Sequence, residues 1–598
     1  MPIPSHDREG VVPDVKRAHV NFLIQNDNRS SEPHLGWTRH QINRSAWRRL
    51  GVQLCAVGRP KRKFCMRSSR GRFLFSLVLI ACSVMAAADM PQLQKTAHGW
   101  QFLVDGKPFL MLGGQVNNSS GWAAALPDVW KTIEMLHANT EEIPVYWENI
   151  EARPGQYQFG EVDQIVTWAR EHNLRLVLLW FGSWKNGASN YVPLWVKQDR
   201  THFPTMIDAA GNWTGVISPY FHSTLEADSK AFAALLEHLK QMDGDRHTVI
   251  MLQVENETGS FGTPRDYSAE ATKLFEGAVP EKLVTALGKK PGTWRQVFGA
   301  DAEEVFAAWG FSTYVGEVAA AGKKMYPLPM YVNCWLAEGG NFQRPGEDYP
   351  SGGPEPAMLD VWKAMAPALD IIGPDIYLSS RQHYREAMTA YRRTDNAMFI
   401  PETSYDGPSA QRLFEAVGEF GTIGFSPFGL DATGWTDTAP AVLTGLAESY
   451  KLLAPMTAEL SQWQAAGKLH SVVEDYRKDF ELLHLEQYDV LVQFGRPNWG
   501  FGAGDPQAAH GRVLIAEVGP AEFVLAGFHA RVSFRAKRGL PAPGQRKPGD
   551  GGRFFLAEEG SYQDGQWKVR RDLNGDQTDF GLNLPGNGAV YRAVLEQY

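Results

Sequence analysis

Eight short apolar runs recur through the middle of this chain. They are Pro108–Gln115, Thr140–Tyr146, Arg175–Phe181, Thr248–Glu255, Pro329–Cys334, Ile371–Tyr377, Ala397–Glu402 and Thr422–Phe428. Helical patterns lie between them. Val162–His172 is amphipathic and is followed by Asn173, a helix-stop residue, and Ser229–Met242 behaves likewise. Apolar strands alternating with helices are the mark of a parallel sheet covered on both faces. Eight of them suit closure into a (β/α)₈ TIM barrel better than an open, doubly wound sheet. No Gly-x-Gly-x-x-Gly follows the first run, which disfavours a dinucleotide fold.

After about residue 467 the texture changes. Val472–Val473, Phe480–Leu485, Asp489–Phe494, Arg512–Glu517, Glu522–Phe528 and Arg531–Arg535 read as short strands, and Gly581–Tyr598 adds more strand pattern. Lys537–Arg553 is rich in Pro and Gly and reads as a loop. The expectation is a C-terminal antiparallel β-sandwich. A helical stretch from about 440 to 466 closes the barrel. The expected division is an N-terminal extension at 1–65, a signal peptide at 66–88, a catalytic barrel at 89–466 and a β-domain at 467–598. The loops at 182–228 and 336–360 are long for a compact domain, and long loops are usually functional.

The leader sits at an odd position. Met66–Arg72 is basic, Phe73–Val84 is apolar but short for a bilayer span, and Ala86-Ala87-Ala88 supplies small residues for cleavage before Asp89. This predicts export to the periplasm or outside the cell, with no membrane span. The alternative is an outer-membrane lipoprotein, because Leu79-Ile80-Ala81-Cys82 resembles a lipobox with Cys82 as the lipid anchor. Residues 1–65 are basic and aperiodic; an over-extended start is the reading taken, a disordered extension the alternative, and residues 1–88 are expected to pack on nothing. Cleavage after Ala88 removes Cys55, Cys65 and Cys82 and leaves Cys334 alone, with no disulfide and no cysteine zinc site.

Hydrophobic content of 43% and charged content of 21% are those of a globular protein, and a net charge of −8 gives no reason to expect nucleic acid or an anionic membrane as partner. The 19 Trp can stack on sugar faces, but they also fill large cores.

The chemistry sits at two strand ends. Gln253-Val254-Glu255-Asn256-Glu257-Thr258-Gly259 closes the fourth run, and Phe399-Ile400-Pro401-Glu402-Thr403 closes the seventh. Barrel enzymes carry their catalytic groups at C-terminal strand ends. Two carboxyls across a sugar-sized pocket are the equipment of a glycosidase, at about 5–5.5 Å for a retaining enzyme and about 6.5–9.5 Å for an inverting one. Glu257 and Glu402 are the expected pair, at the retaining separation. A plain structural reading makes both of them salt-bridged strand-end residues. Glu255 is a rival acid, since a regular strand turns 253, 255 and 257 the same way; its other reading is a structural or pKa-tuning neighbour. Tyr377, Tyr146, Asn117 and Trp335 stand at further strand ends as candidate sugar-binding residues. No His-Glu-x-x-His, clustered His/Cys set, phosphate loop or calcium loop is present, so neither metal nor cofactor is expected.

These motifs resemble clan A glycoside hydrolases, most nearly the family 35 β-galactosidases, over roughly residues 105–430. Gln253-Val254-Glu255-Asn256-Glu257 is similar to that family's fourth-strand motif, with Thr258 in place of the usual Tyr. The resemblance implies that Asn256 binds the sugar 2-hydroxyl, that Glu257 is the acid/base, that Glu402 is the nucleophile and that Tyr377 bonds it. Val145-Tyr146-Trp147-Glu148-Asn149-Ile150-Glu151, Pro154–Phe159 and Tyr191-Val192-Pro193-Leu194-Trp195 also resemble family segments. Glu148-Asn149-Ile150-Glu151-Ala152 departs from family 35 toward family 42. The resemblance implies a β-galactoside oligosaccharide or polysaccharide as substrate, plant cell-wall material included. Another clan A activity, such as β-glucosidase or β-mannosidase, is the alternative. A non-catalytic carbohydrate-binding barrel is the other. Oligomeric state is not legible.

Overall fold

The computed structural model describes residues 89–337, 343–431, 439–475, 480–494, 510–537 and 552–596. The extension at 1–65, the leader with Cys82, and 538–551 of the Pro/Gly-rich stretch lie outside the described residues.

The eight runs form the expected closed parallel barrel in chain order. Its strands are β1 (Met111–Gln115), β2 (Thr140–Tyr146), β3 (Arg175–Lys185), β4 (Val249–Asn256), β5 (Met330–Trp335), β6 (Ile371–Ile376), β7 (Ile400–Thr403) and β8 (Gly424–Pro427). Closure is made where Gly424 and Phe425 of β8 pair with Met111 and Leu112 of β1. A helix follows each strand on the outside. Gly160–Glu171 shows why: Val162, Ile165, Val166 and Ala169 bury one stripe, at helical spacing. The chain leaves it through Asn173, whose φ of 57° is the left-handed turn Asn tolerates. The helix read as Ser229–Met242 runs longer, His222–Asp243.

The barrel has two cores. One lies between strands and helices. The other fills the barrel itself with Met111, Val177, Leu179, Met251, Tyr331, Ile371 and Phe399. Phe102 belongs to this inner core and is fully buried. It is carried by a three-stranded antiparallel meander of Gln92–Lys95, Trp100–Val104 and Lys107–Pro108, which sequence reading did not anticipate. With the interior so filled, the open end left to a ligand is the one where the strands finish.

The C-terminal segment is two antiparallel sheets packed face to face, as expected. Its strands are β9 (Leu469–Val473), β10 (Phe480–His484), β11 (Tyr488–Phe494), β12 (Arg512–Gly519), β13 (Glu522–Phe528), β14 (Ala530–Ala536), β15 (Phe554–Gln563), β16 (Gln566–Asp572), β17 (Leu582–Leu584) and β18 (Ala589–Leu595). The larger sheet runs β9-β12-β13-β18-β15-β16 and the smaller β10-β11-β14-β17. The β15–β16 hairpin was not foreseen.

The larger sheet has no wet face along β12 and β13. Val513, Ile515, Phe523 and Leu525 point into the sandwich with Val490, Val492 and Val532. Leu514, Ala516, Val524 and Ala526 belong to the barrel's outer core. The contact is close: a Cβ on Gly418, in the helix after β7, would come within 2.5 Å of Ser471 Cβ. Arg512 crosses the seam, donating to Ser449 Oγ and the Gly445 carbonyl at 3.0 Å each, with its guanidinium 3.9 Å from the Phe528 ring.

Candidate active site

The end of β4 does not stay regular, and this decides which glutamate faces the pocket. Glu255 and Glu257 both take positive φ, 62° and 44°. Such angles cost a non-glycine residue on the order of 1–3 kcal/mol and persist only where neighbours hold them. Here Gln253 Nε2 donates to the Glu255 carbonyl at 2.9 Å, the Gly187 amide to the Glu257 carbonyl at 3.1 Å, and the Glu257 amide to Asn333 Oδ1 at 2.8 Å.

The parity argument therefore fails. Glu255 turns into the barrel wall, fully buried, and accepts from the Trp184 amide at 2.7 Å. It stands against Asp228, which itself accepts from Trp180 Nε1 at 2.9 Å, Ser183 Oγ at 2.6 Å and Tyr314 OH at 3.2 Å. Gly182 makes room for this pair, since a Cβ there would come within 2.7 Å of Glu255 Oε1. Burial first, then Asp228, pushes the Glu255 carboxyl well up. Glu255 is thus a buried structural neighbour of Glu257 and does not line the pocket.

Glu257 and Glu402 meet across a cavity of about 530 Å³ at the strand ends. Asn186, Trp335, Asp375 and Tyr377 also line it. One carboxylate oxygen from each of Glu257, Asp375 and Glu402 lies within 4.8 Å of the other two. Among the described residues these three are also the acids close enough together to share a cation.

The two glutamates live differently. Glu402 accepts on both oxygens, from Gln115 Nε2 at 2.9 Å and from Tyr377 OH at 2.6 Å, the pattern of a held anion. Burial, then the charge of Glu402, pushes Glu257 up to about 7, against the pull of Lys185. A carboxyl of that kind is half protonated near neutrality and can both give and take a proton.

Of the expected sugar-binding residues, the structure brings two into the pocket. Tyr377 keeps 47% of its surface exposed while its hydroxyl holds Glu402. Trp335 lines the wall with 36% exposed, its ring edge-on to Phe261 at 5.3 Å. Asn256 is fully buried beside Glu257, and neither atom of its side-chain amide has a protein partner. A buried amide without partners is uncommon, although Asn256 itself does not line the cavity.

Two candidates stand outside this cavity. Tyr146 is 3% exposed; its ring stacks on Tyr191, and its hydroxyl donates to the Asn118 carbonyl and accepts from the Gly121 amide. Both bonds hold the loop after β1. Asn117 donates from Nδ2 and from its backbone to Asp431, at 2.8 and 2.9 Å, and fixes the same loop. Neither lines the cavity between Glu257 and Glu402.

Sequence reading missed Asp375, Asn333, Gln115 and Lys185. Asp375 stands two residues before Tyr377, and Asn333 two before Trp335, so strand alternation places each on the pocket side of a residue already chosen. Gln115 ends β1 and could have been found as a strand-end polar group. Lys185 lies in an extension of β3 beyond the expected Phe181, and nothing local signalled it.

Comparison with known proteins agrees with the resemblance. Residues 101–327 match the model "Glycosyl hydrolases family 35", and residues 446–585 match "Domain of unknown function (DUF5597)". A β-galactosidase of Xanthomonas manihotis is 26% identical over 222 residues, 35% of this chain and 34% of that protein. Beta-galactosidase 8 of Oryza sativa subsp. japonica is 25% identical over 264 residues, 40% of this chain and 35% of that one. The Homo sapiens β-galactosidase is 28% identical over 197 residues, 31% and 26% of the two chains. The matches thus span about a third of these relatives' length. Among solved structures, the β-galactosidase from Bacillus circulans sp. alkalophilus superposes with a TM-score of 0.43 at 16% identity, over 59% of this chain and 57% of that one.

Proposed function

We propose that this chain is a retaining β-galactosidase that releases terminal β-D-galactose from β-galactosides. The observation that carries the reading is the approach of Glu257 and Glu402 to within 4.8 Å across the cavity, in unlike surroundings. Oxygens that close are compatible with the retaining carboxyl separation of about 5–5.5 Å and favour it over the inverting one of about 6.5–9.5 Å.

Glu402, held as an anion by Gln115 and Tyr377, attacks the anomeric carbon. Glu257 protonates the departing oxygen. A glycosyl-enzyme ester on Glu402 results. Glu257, now a base, deprotonates the incoming water and returns the system to its start. The open amide of Asn256 takes the sugar 2-hydroxyl, and Trp335 offers a ring face or edge to the sugar. Galactose as the sugar follows from the likeness to family 35 over residues 101–327, and plant cell-wall galactosides from the habit of that family. The leader at 66–88 supports export, with Cys82 as an anchor in the lipoprotein alternative.

A panel of nitrophenyl glycosides tests the sugar. Fastest turnover is expected on the β-galactoside; a faster β-glucoside or β-mannoside would replace galactose and leave the chemistry in place. Proton NMR of the first product tests the mechanism. β-Galactose is expected to form first, and α-galactose appearing first would end the retaining reading. No turnover of any glycoside, with sugar still bound, would make the barrel a binding protein.

A further inference from the structure

Asp375 is a third carboxyl in the pocket, and a two-carboxylate mechanism has no use for it. It is 3% exposed. Its Oδ2 accepts from Asn333 Nδ2 at 2.6 Å, and the Oδ1 of the same Asn accepts from the Glu257 backbone amide at 2.8 Å. Asp375 therefore grips the strained backbone of Glu257 through one side chain. Its other oxygen, Oδ1, is buried without a protein partner. An ionised oxygen left so would carry a heavy desolvation cost, whereas a hydroxyl there has a neighbouring carboxyl to donate to.

The charges around it point the same way. Asp375 faces Glu257 just beyond β4, Lys185 from β3 and Glu402 from β7. Tyr377 of its own strand region, Tyr331 and Cys334 of β5, and Tyr391 of the helix Arg381–Tyr391 also feel it. Lys185 is the one cation among these groups, and it cannot balance three carboxylates. Glu402 is held as an anion by two donors. The surplus protons fall to Glu257 and Asp375.

We propose that Asp375 is a positioning residue that keeps its proton throughout turnover and donates a hydrogen bond from Oδ1 to Glu257. This rests on the reading of Glu257 as acid/base. When Glu257 gives its proton to the leaving oxygen, its new carboxylate forms beside a donor already in place. Asp375 loses no proton and forms no bond to substrate. Burial, followed by the charges of Glu402 and Glu257, pushes its carboxyl well above the ordinary range, in agreement.

The test compares Asp375→Asn, which keeps a donor, with Asp375→Ala, which does not. For Asp375→Asn, kcat within about threefold of the parent and an unmoved alkaline limb are expected. Asp375→Ala should turn over roughly tenfold slower, from loss of a hydrogen bond to a charged group. Were Asp375 ionised, it would raise Glu257, and Asp375→Asn would lower the alkaline limb by about one unit; that result overturns the proposal. An infrared difference spectrum of parent minus Asp375→Asn, at pH 7, reads the proton without activity. A protonated-carboxyl band is expected, and carboxylate bands in its place overturn the proposal even in an inactive variant. Azide rescue of Glu257→Ala tests the underlying assignment separately. Its failure beside an intact carboxyl band would remove the acid/base reading while leaving Asp375 protonated.

Discussion

Glu402 and Glu257 are the same side chain at the ends of two strands of one barrel, and their surroundings hold them in opposite states. Glu402 is met by two donors, Gln115 and Tyr377, aimed at its two oxygens. Glu257 donates from its backbone amide to Asn333 and accepts at its carbonyl from Gly187, while burial and then the charge of Glu402 raise its carboxyl against Lys185 and Asp375. Donors on the carboxylate favour the anion, and burial beside a like charge favours the protonated carboxyl. Division of labour between two chemically identical acids is thus written in their neighbours.

The most severe way to break this asymmetry is to remove the anion. Glu402→Ala should lose turnover of every β-galactoside by on the order of 10⁵-fold, because no glycosyl-enzyme can form. A steady-state assay on nitrophenyl galactoside checks it, and residual turnover near the parent rate would move the nucleophile elsewhere.

Removing the mobile proton costs less and depends on the leaving group. Glu257→Ala should slow poor leaving groups by about 10³-fold, yet spare the first step with an activated nitrophenolate. Deglycosylation then limits, and added azide should restore rate as a β-glycosyl azide. If azide rescues Glu255→Ala and not Glu257→Ala, the acid lies two residues upstream.

Thinning the anion's support is milder still. Tyr377→Phe deletes one charge-assisted hydrogen bond, for which about 1.5–3 kcal/mol corresponds to roughly 10- to 100-fold in kcat/KM. An unchanged rate would mean that Gln115 alone holds Glu402.

The smallest effect is one of pH. Glu257 sits near 7 and must carry its proton to act as acid, so kcat/KM should fall as pH rises through about 7. In Glu257→Gln that limb should vanish from the profile. Persistence of the limb would assign it to another group.

The barrel itself was legible because strands buried on both faces are predominantly apolar, and Thr140–Tyr146 was read to the residue despite the buried Glu141 and Glu142. The meander that carries Phe102 was not, since Gln92–Lys95 is mostly exposed and looks like any polar lead-in. The β15–β16 hairpin escaped for a like reason: Phe555 and Val569 point outward, and charges at Lys568, Arg570 and Arg571 hide the alternation. At the site, strand position identified the two glutamates, but alternation could not separate Glu255 from Glu257. That choice is made by two positive φ angles, which a local pattern of residue types does not announce. Tyr146 and Asn117 were drawn in by position at strand ends, and only their hydrogen bonds to Asn118, Gly121 and Asp431 reveal that they hold a loop.

The dry seam between barrel and β-domain bears on how the molecule comes apart. Leu514 and Val513 are neighbours on one strand, yet each is committed to a different hydrophobic core. Loosening either core tugs on the backbone of the other. Heat should therefore melt barrel and sandwich in one calorimetric peak, and a chain cut near residue 467 would bare an oily flank on the barrel half. The β-domain is then joined to the barrel as a lining is sewn to a coat.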